Sequence, residues 1–258
     1  MPQALQALLW DVDGTLAETE RDGHRVAFNQ AFEALAVPRR WSEADYGRLL
    51  AVTGGRERLL HDMAQQPWAP ADASERARLA ERLHRLKNER YADIVARAAL
   101  PLREGVRELL DECACSGVRL AIVTTTSRAN VQALLTAHFG LGWRAGFDAV
   151  VCGEDVADKK PSPQAYVAAL RALGLRGDQA LAIEDSPAGV AAAHGAGVPV
   201  VVTRSHYFAD AAVGQAVAVG PSLGRREGWT AAAGSDTVAR VDLPLLRQWH
   251  RLAVPQAA

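Results

Sequence analysis

Two aspartates one residue apart, Asp11 and Asp13, end an apolar run near the start of the chain, and Gly14 and Thr15 follow them. A carboxylate in such a place can attack phosphorus once the phosphoryl charge is neutralised and the approach is in line. Asp13 can reach the leaving oxygen if the chain turns after the run, and Gly14 makes that turn cheap. Further along stand Thr124-Thr125-Thr126, Lys159-Lys160-Pro161 and Glu184-Asp185-Ser186. A hydroxyl and a lysine can hold the remaining phosphoryl oxygens where charge develops. Carboxylates from two segments can supply the oxygen ligands that magnesium prefers. Each fragment alone has a plainer reading: Asp-x-Asp-Gly as a turn, the threonines as strand propensity, the lysines as a solvated pair. Their order and placement together make the set specific, with Lys160 the functional lysine and Lys159 a surface one.

The elements that must position these groups follow from the apolar pattern. Leu5–Trp10 is a short apolar run that stops abruptly at acid and glycine, as a buried strand does. Val118–Val123, Phe147–Cys152, Ala180–Ile183 and Val198–Thr203 share that character, and Gln215–Val219 is a weaker sixth strand. Helical segments lie between them, among them Arg103–Cys113, Ala129–Ala137 and Ser162–Leu173, the last with Ser162 as N-cap and Pro163 at the first helical position. Strands alternating with helices predict an α/β fold with parallel pairing and right-handed crossovers. Open sheets of this kind bind ligands beyond the carboxyl ends of their strands, where the four groups fall.

Residues 17–100 break the alternation, with helical patterns and no convincing strand. Ser42-Glu43-Ala44-Asp45 predicts a helix start of the capping-box kind, with Asp in place of the usual Glu or Gln. Asp72–Arg97 predicts one long, charged helix with a solvated face. The expected organisation is therefore a core of residues 1–16 and 101–258 with a helical insertion over 17–100. Gly220–Gly234, rich in glycine and arginine, reads as a mobile loop.

The bulk numbers bound the partners. The chain has 258 residues, 49% hydrophobic and 23% charged, with a formal net charge of −1. That balance offers no basic field for nucleic acid or an anionic membrane surface, yet a few local cations suffice for a small anion. No run approaches the roughly 20 apolar residues of a membrane span, and no leader pattern is visible. Cys113, Cys115 and Cys152 form no CxxC pair and read as reduced bystanders, which points to the cytoplasm.

Asp11-Val12-Asp13-Gly14-Thr15, Thr124, Lys160 before Pro161, and Glu184-Asp185 resemble the four motifs of the haloacid dehalogenase superfamily. The resemblance spans nearly the whole chain. It implies a Rossmann-like parallel-sheet core with an inserted α-helical cap that sets specificity. It also implies an aspartyl-phosphate on Asp11, general acid and base work by Asp13, and phosphate binding by Thr124, Thr125 and Lys160. Mg2+ would be held by the Asp11 carboxylate, the Asp13 backbone carbonyl and Asp185, with Glu184 a ligand or a supporting acceptor. Such proteins are often monomers when the cap is large.

Within the superfamily, residues 17–25, Thr53–Arg58, His84–Lys87 and Thr124–Ser127 resemble the CbbY group. That group is known for removing a phosphate from xylulose-1,5-bisphosphate, a Rubisco inhibitor related to the Calvin cycle. The resemblance assigns substrate contact to Glu20, Gly54, Gly55, Arg56, Glu57, Arg58, Lys87, Thr124, Thr125, Thr126 and Ser127, and Arg128 is grouped with them by position. His24 and His84 read either as helix-packing histidines or as substrate contacts, with His24 alternatively positioning Asp13. Arg56 stands where lysine is expected in many members, which keeps the charge but changes its geometry. Gly54-Gly55 would let backbone N–H groups approach a second phosphate, with Arg56, Arg58 and Lys87 adding charge-assisted contacts. A phosphomutase of the β-phosphoglucomutase kind shares the same four motifs. The spacing from Asp13 to His24 resembles the hydrolytic form.

Overall fold

The computed structural model describes residues 4–97, 100–231 and 239–254. Strand β1 (Ala7–Trp10) is central to a seven-stranded sheet and buried along its whole length. A five-residue π-helical turn at Glu20–His24 leads into α1 (Arg25–Ala34), followed by α2 (Glu43–Leu49), α3 (Gly55–Met63) and α4 (Ala73–Ala96). The chain then alternates through α5 (Val106–Ser116), β2 (Arg119–Val123), α6 (Arg128–Phe139), β3 (Ala149–Val151), α7 (Gln164–Leu173), β4 (Ala180–Glu184), α8 (Pro187–Gly195) and β5 (Val200–Thr203). Strands β6 (Ala218–Gly220) and β7 (Thr230–Ala231) and helix α9 (Leu243–Ala253) complete the order.

The sheet runs β3-β2-β1-β4-β5-β6-β7. Its first six strands are parallel and β7 pairs antiparallel with β6. Successive side chains of β1 serve opposite layers, as the two-residue strand period requires. Leu8 and Trp10 join the cluster that includes Leu109, Leu134 and Trp249, whereas Ala7 and Leu9 join the one that includes Tyr166, Ala169 and Val190. Both faces of the sheet are covered, which is why β1 reads as an unbroken apolar run.

The helices of residues 20–96 hold a third cluster around Phe28, Phe32, Trp41, Tyr46 and Leu59. Buried Asp62 fastens it, accepting from Arg39 at 2.8 and 2.9 Å and from Trp41 Nε1 at 2.8 Å. The capping box at Ser42 and Asp45 forms. Asp72 caps α4, which is continuous to Ala96 as the pattern predicts.

Two expectations change. Helix α7 begins at Gln164, with Pro163 rather than Ser162 as its N-cap. The segment after β6 is anchored instead of loose: Ser222, Leu223 and Trp229 are buried, the Trp229 ring lies 5.1 Å from that of Trp249, and its Nε1 donates to Ser222 O at 2.8 Å. A buried indole outweighs the local glycine signal there. Residues 232–234 of the expected loop lie outside the described residues.

Candidate active site

The sheet register sets the first two carboxylates side by side. Trp10 pairs with Ile183 of β4, so Asp11 and Glu184 stand level at adjacent strand ends. Lys160 lies between them, its Nζ donating to Asp11 Oδ1 at 2.7 Å, Glu184 Oε1 at 2.6 Å and Val123 O at 2.8 Å. Tyr166 OH also donates to Glu184 Oε1 at 2.5 Å. Asp185 follows directly, with Ser205 Oγ donating to its Oδ2 at 2.6 Å. Gly14 makes this approach possible: its φ is +84°, and a Cβ there would lie 2.1 Å from Asp185 Oδ2. Any side chain would both strain the turn and displace the carboxylate.

One oxygen from each of Asp11, Glu184 and Asp185 lies within 4.8 Å of the others, and all three residues are buried. Burial raises the Asp11 carboxyl to about 7, Glu184 and Asp13 adding to the rise and Lys160 opposing it. Asp185 is pushed well above the usual carboxylate range by burial and then by Asp11 and Glu184. Burial alone would lower the Lys160 ammonium, but Asp11 and Glu184 hold it above the usual lysine range. Three buried carboxylates against one lysine, all offering oxygen, fit a small divalent cation such as magnesium.

Asp13 turns away from that group. Thr19 Oγ1 donates to its Oδ1 at 2.6 Å and His24 Nε2 pairs with the same oxygen at 2.9 Å. Burial raises the Asp13 carboxyl, but His24, Thr19 and Lys87 outweigh it and hold the group well below the usual range. His24 is itself fixed by stacking on Tyr91 at 4.2 Å. Arg103 ties the surrounding loops, its guanidinium donating to the carbonyls of Gly14, Thr203 (3.2 Å), Arg204 (2.5 Å) and Pro221 (2.8 Å).

Three cavities sharing walls lead away from Asp11. The first, about 60 Å³, is lined by Asp11, Asp13, Thr124, Thr125, Lys160 and Asp185 together with Glu20 and Arg58. A narrow one of about 30 Å³ shares Asp13, Glu20, Arg58 and Thr125 with it and adds His24, Gly54 and Lys87. A wider one of about 390 Å³ shares Gly55, Lys87, Thr125 and Thr126 with the second, and its wall includes Arg56, Arg85 and Lys159. Three aspartates thus line the first cavity of this passage, whereas Arg56, Arg85, Lys87 and Lys159 stand on the wall of the widest one together with Glu57, Glu81 and Glu154.

The model of the haloacid dehalogenase-like hydrolases matches residues 5–197. The chain belongs to that family. Within it, the CbbY protein of Rhodobacter capsulatus is 47% identical over 203 residues, covering 79% of this chain and 87% of the relative. The CbbY protein of Cupriavidus necator is 41% identical over 247 residues, 95% of this chain and 97% of the relative. A solved CbbY variant from Rhodobacter sphaeroides, in complex with xylulose-1,5-bisphosphate, superposes with a TM-score of 0.80 at 40% identity over 85% of this chain and 95% of that one. The sequence-level family assignment therefore stands, down to the CbbY group, and the chain is a hydrolase of the phosphatase type.

In this haloacid dehalogenase-like hydrolase the structure gathers most of the residues singled out from sequence, though not always as contacts to open space. His24 holds Asp13. Arg58 is buried, donating to Tyr46 OH at 2.8 Å and to Leu49 O at 3.2 Å, with Glu20 3.9 Å away. Glu20 in turn accepts from Tyr46 OH at 2.5 Å. Arg56 is half exposed and pairs with Glu81 at 3.2 Å. His84 lines the wide cavity, with burial pushing its imidazole down to about 4. Ser127 caps α6, accepting from Asn130 N. Arg128 pairs with Asp155 at 2.5 Å on the surface and lines none of the three cavities.

Lys159 corrects the sequence reading. It is largely buried and donates to Glu57 Oε1 at 2.6 Å, joining the loop before α7 to α3. Tyr46, Asn88, Asn130 and Ser205 were missed altogether. Ser205 had a signal, since it lies two residues beyond the fifth strand end; the others depend on pairings remote in sequence.

No helix among the described residues is long and apolar enough to cross a membrane. Cys113, Cys115 and Cys152 are all free thiols.

Proposed function

We propose that this hydrolase is a magnesium-dependent phosphatase of sugar bisphosphates, with xylulose-1,5-bisphosphate as its leading substrate. The observation that carries the reading is the passage itself, with the buried Asp11 group at one end and the cations of the wide cavity at the other. The ligand of the solved Rhodobacter sphaeroides relative supports the pentulose assignment.

Asp11 attacks phosphorus, forming an acyl-phosphate bond as the ester bond to the sugar oxygen breaks. Asp13 hands its proton to that leaving oxygen, and then takes one from the water that cleaves the acyl phosphate. Its low pKa in the free protein suits the second role. The arriving phosphoryl charge raises it toward the first. His24 and Thr19 keep the carboxylate aimed while the proton moves. Lys160 and Thr124, with Thr125, hold the phosphoryl oxygens. Asp11, Asp185, Glu184 and the Asp13 backbone carbonyl would hold the magnesium, which supplies positive charge against the carboxylates and phosphoryl oxygens when bound. Beyond the Asp11 group, Gly54–Gly55, Arg58 and Lys87 of the narrow cavity and Arg56 of the wide one receive the second phosphate, and residues 17–100 act as the cap that encloses it.

Phosphate release from a panel of sugar mono- and bisphosphates tests the reading. Magnesium-dependent release, fastest from xylulose-1,5-bisphosphate, is expected. Isomerisation of β-glucose 1-phosphate without net release would overturn it in favour of a mutase. Equal turnover of mono- and bisphosphates would remove the second-phosphate site.

A further inference from the structure

The Lys87 ammonium is nearly fully buried, yet it has a single hydrogen-bond acceptor among the described residues, Asn88 Oδ1 at 3.3 Å. Its other neighbours are the faces of Phe28 and Tyr91, at 5.2 and 5.3 Å from the ring centres. An ammonium carries three donors, so two are left for a ligand. What fixes the direction of those donors is the amide of Asn88.

Asn88 Oδ1 accepts a second bond, from Asn130 Nδ2 at 3.1 Å. Two donors converging on one oxygen leave the amide a single orientation, because a flip would set its NH2 against an ammonium and another NH2. Asn130 is buried near the start of α6, and its Nδ2 also donates to Thr126 Oγ1 at 3.2 Å. Both of its N–H groups are therefore used, while its Oδ1 is buried with no partner. An apolar residue of similar size would leave no orphan oxygen, so what the amide contributes here is its two donors. Thr126 N donates in turn to Thr124 Oγ1 at 3.2 Å. A continuous polar line thus runs from the threonine loop beside Asp11, across the contact between α6 and α4, to the ammonium at the far end.

We propose that Asn88 and Asn130 form a spacer that sets the reach from Thr124–Thr126 to Lys87, and so selects substrates carrying a second anionic group at a fixed distance from the first. The pair consists of positioning residues acting through Lys87, and the proposal rests on the phosphatase reading of Asp11.

The test compares a pentulose 1,5-bisphosphate with the matching monophosphate in the wild type, Asn88→Ala, Asn130→Ala, Lys87→Ala and the Asn88→Ala/Lys87→Ala double variant. Asn88→Ala is expected to cut the bisphosphate-to-monophosphate ratio of kcat/KM about tenfold, the scale of one bond to a charged group. The loss falls on the bisphosphate KM rather than on kcat. In the Lys87→Ala background, Asn88→Ala moves the ratio no further.

A ratio left in place by Asn88→Ala, or a full additional loss in the double variant, overturns the spacer. So does an equal fall in kcat for both substrates, the mark of a merely structural role. If Asn130→Ala fails to fold, half-buried Asn88 still decides the matter. A wild type that releases phosphate from neither compound refutes the phosphatase reading and takes the spacer with it.

Discussion

The two ends of the passage are built differently. At the sheet end every named carboxylate is buried and tied: Asp11 and Glu184 to Lys160, Asp185 to Ser205, Asp13 to Thr19 and His24. At the far end Lys87 keeps donors in reserve, Arg56 is half exposed, and Arg85 stands exposed on the cavity wall. Chemistry requires reacting groups held to within fractions of an ångström, whereas recognition of an anion needs charge that is free to be claimed. On the proposed reading one end is therefore finished before substrate arrives and the other is completed by it.

The contrast breaks most sharply at Asp11. Asp11→Asn is expected to reduce phosphate release by at least about a thousandfold, as loss of a nucleophile does. The same change relieves repulsion among three buried carboxylates, so the metal-free variant melts above the wild type. A variant that melted lower would show that Lys160 already balances the group without a cation.

Chelation is the next largest effect, with turnover expected to vanish in EDTA and to return with magnesium. The metal-free protein carries a further signature. Unfolded Asp11 loses its proton near 3.8, whereas the folded group keeps it to about 7. Stability of the metal-free fold therefore falls as pH rises through that window, and magnesium cancels the fall. Melting curves from pH 4 to 8, with and without the ion, read this directly.

His24→Ala should lower kcat by about ten- to a hundredfold, less than the roughly hundred- to ten-thousandfold worth of a proton-transfer group itself, because His24 aims Asp13 and does not carry the proton. It should also move the acid limb of the pH–rate profile upward, because Asp13 loses the partner that depresses it. An unmoved limb would place His24 outside proton transfer.

At the far end, burial lowers Lys87 to about 8, against the pull of Asp13 and Glu20. On the proposed reading the ammonium, charged below that value, binds the second phosphate, so KM for a bisphosphate should rise as pH passes 8 while the monophosphate KM stays level. Arg56→Ala is the smallest change expected, about twofold in KM, since its exposed pair with Glu81 contributes little.

Sequence carried the sheet end well for a physical reason. Asp11 and Thr124 follow directly on apolar strands and Glu184 ends one, and parallel pairing forces such strand ends to one edge. Two strands came out narrower, Ala7–Trp10 within Leu5–Trp10 and Ala149–Val151 within Phe147–Cys152, because burial of apolar side chains continues beyond the paired residues, whereas β4 runs one residue past the expected Ala180–Ile183 to Glu184. The far end was legible only through likeness to relatives. Lys159 meeting Glu57, and Asn130 meeting Asn88, join residues 102 and 42 positions apart, and nothing local in either segment announces its partner.

Arg103 has a consequence of another kind. Both connections to the helical layer pass it: Ala17 bridges Leu102, and Arg103 N donates to Leu16 O at 2.8 Å. Its guanidinium then spreads over the carbonyls of Gly14, Thr203, Arg204 and Pro221, on segments that follow β1, β5 and β6. A load arriving from the helices is thus grounded in three loops at once before it can bend the turn that places Asp13. Such an anchor makes the layer above it modular. On the proposed reading, the helices could lengthen or be redesigned for another sugar while Asp11 beneath them keeps its aim.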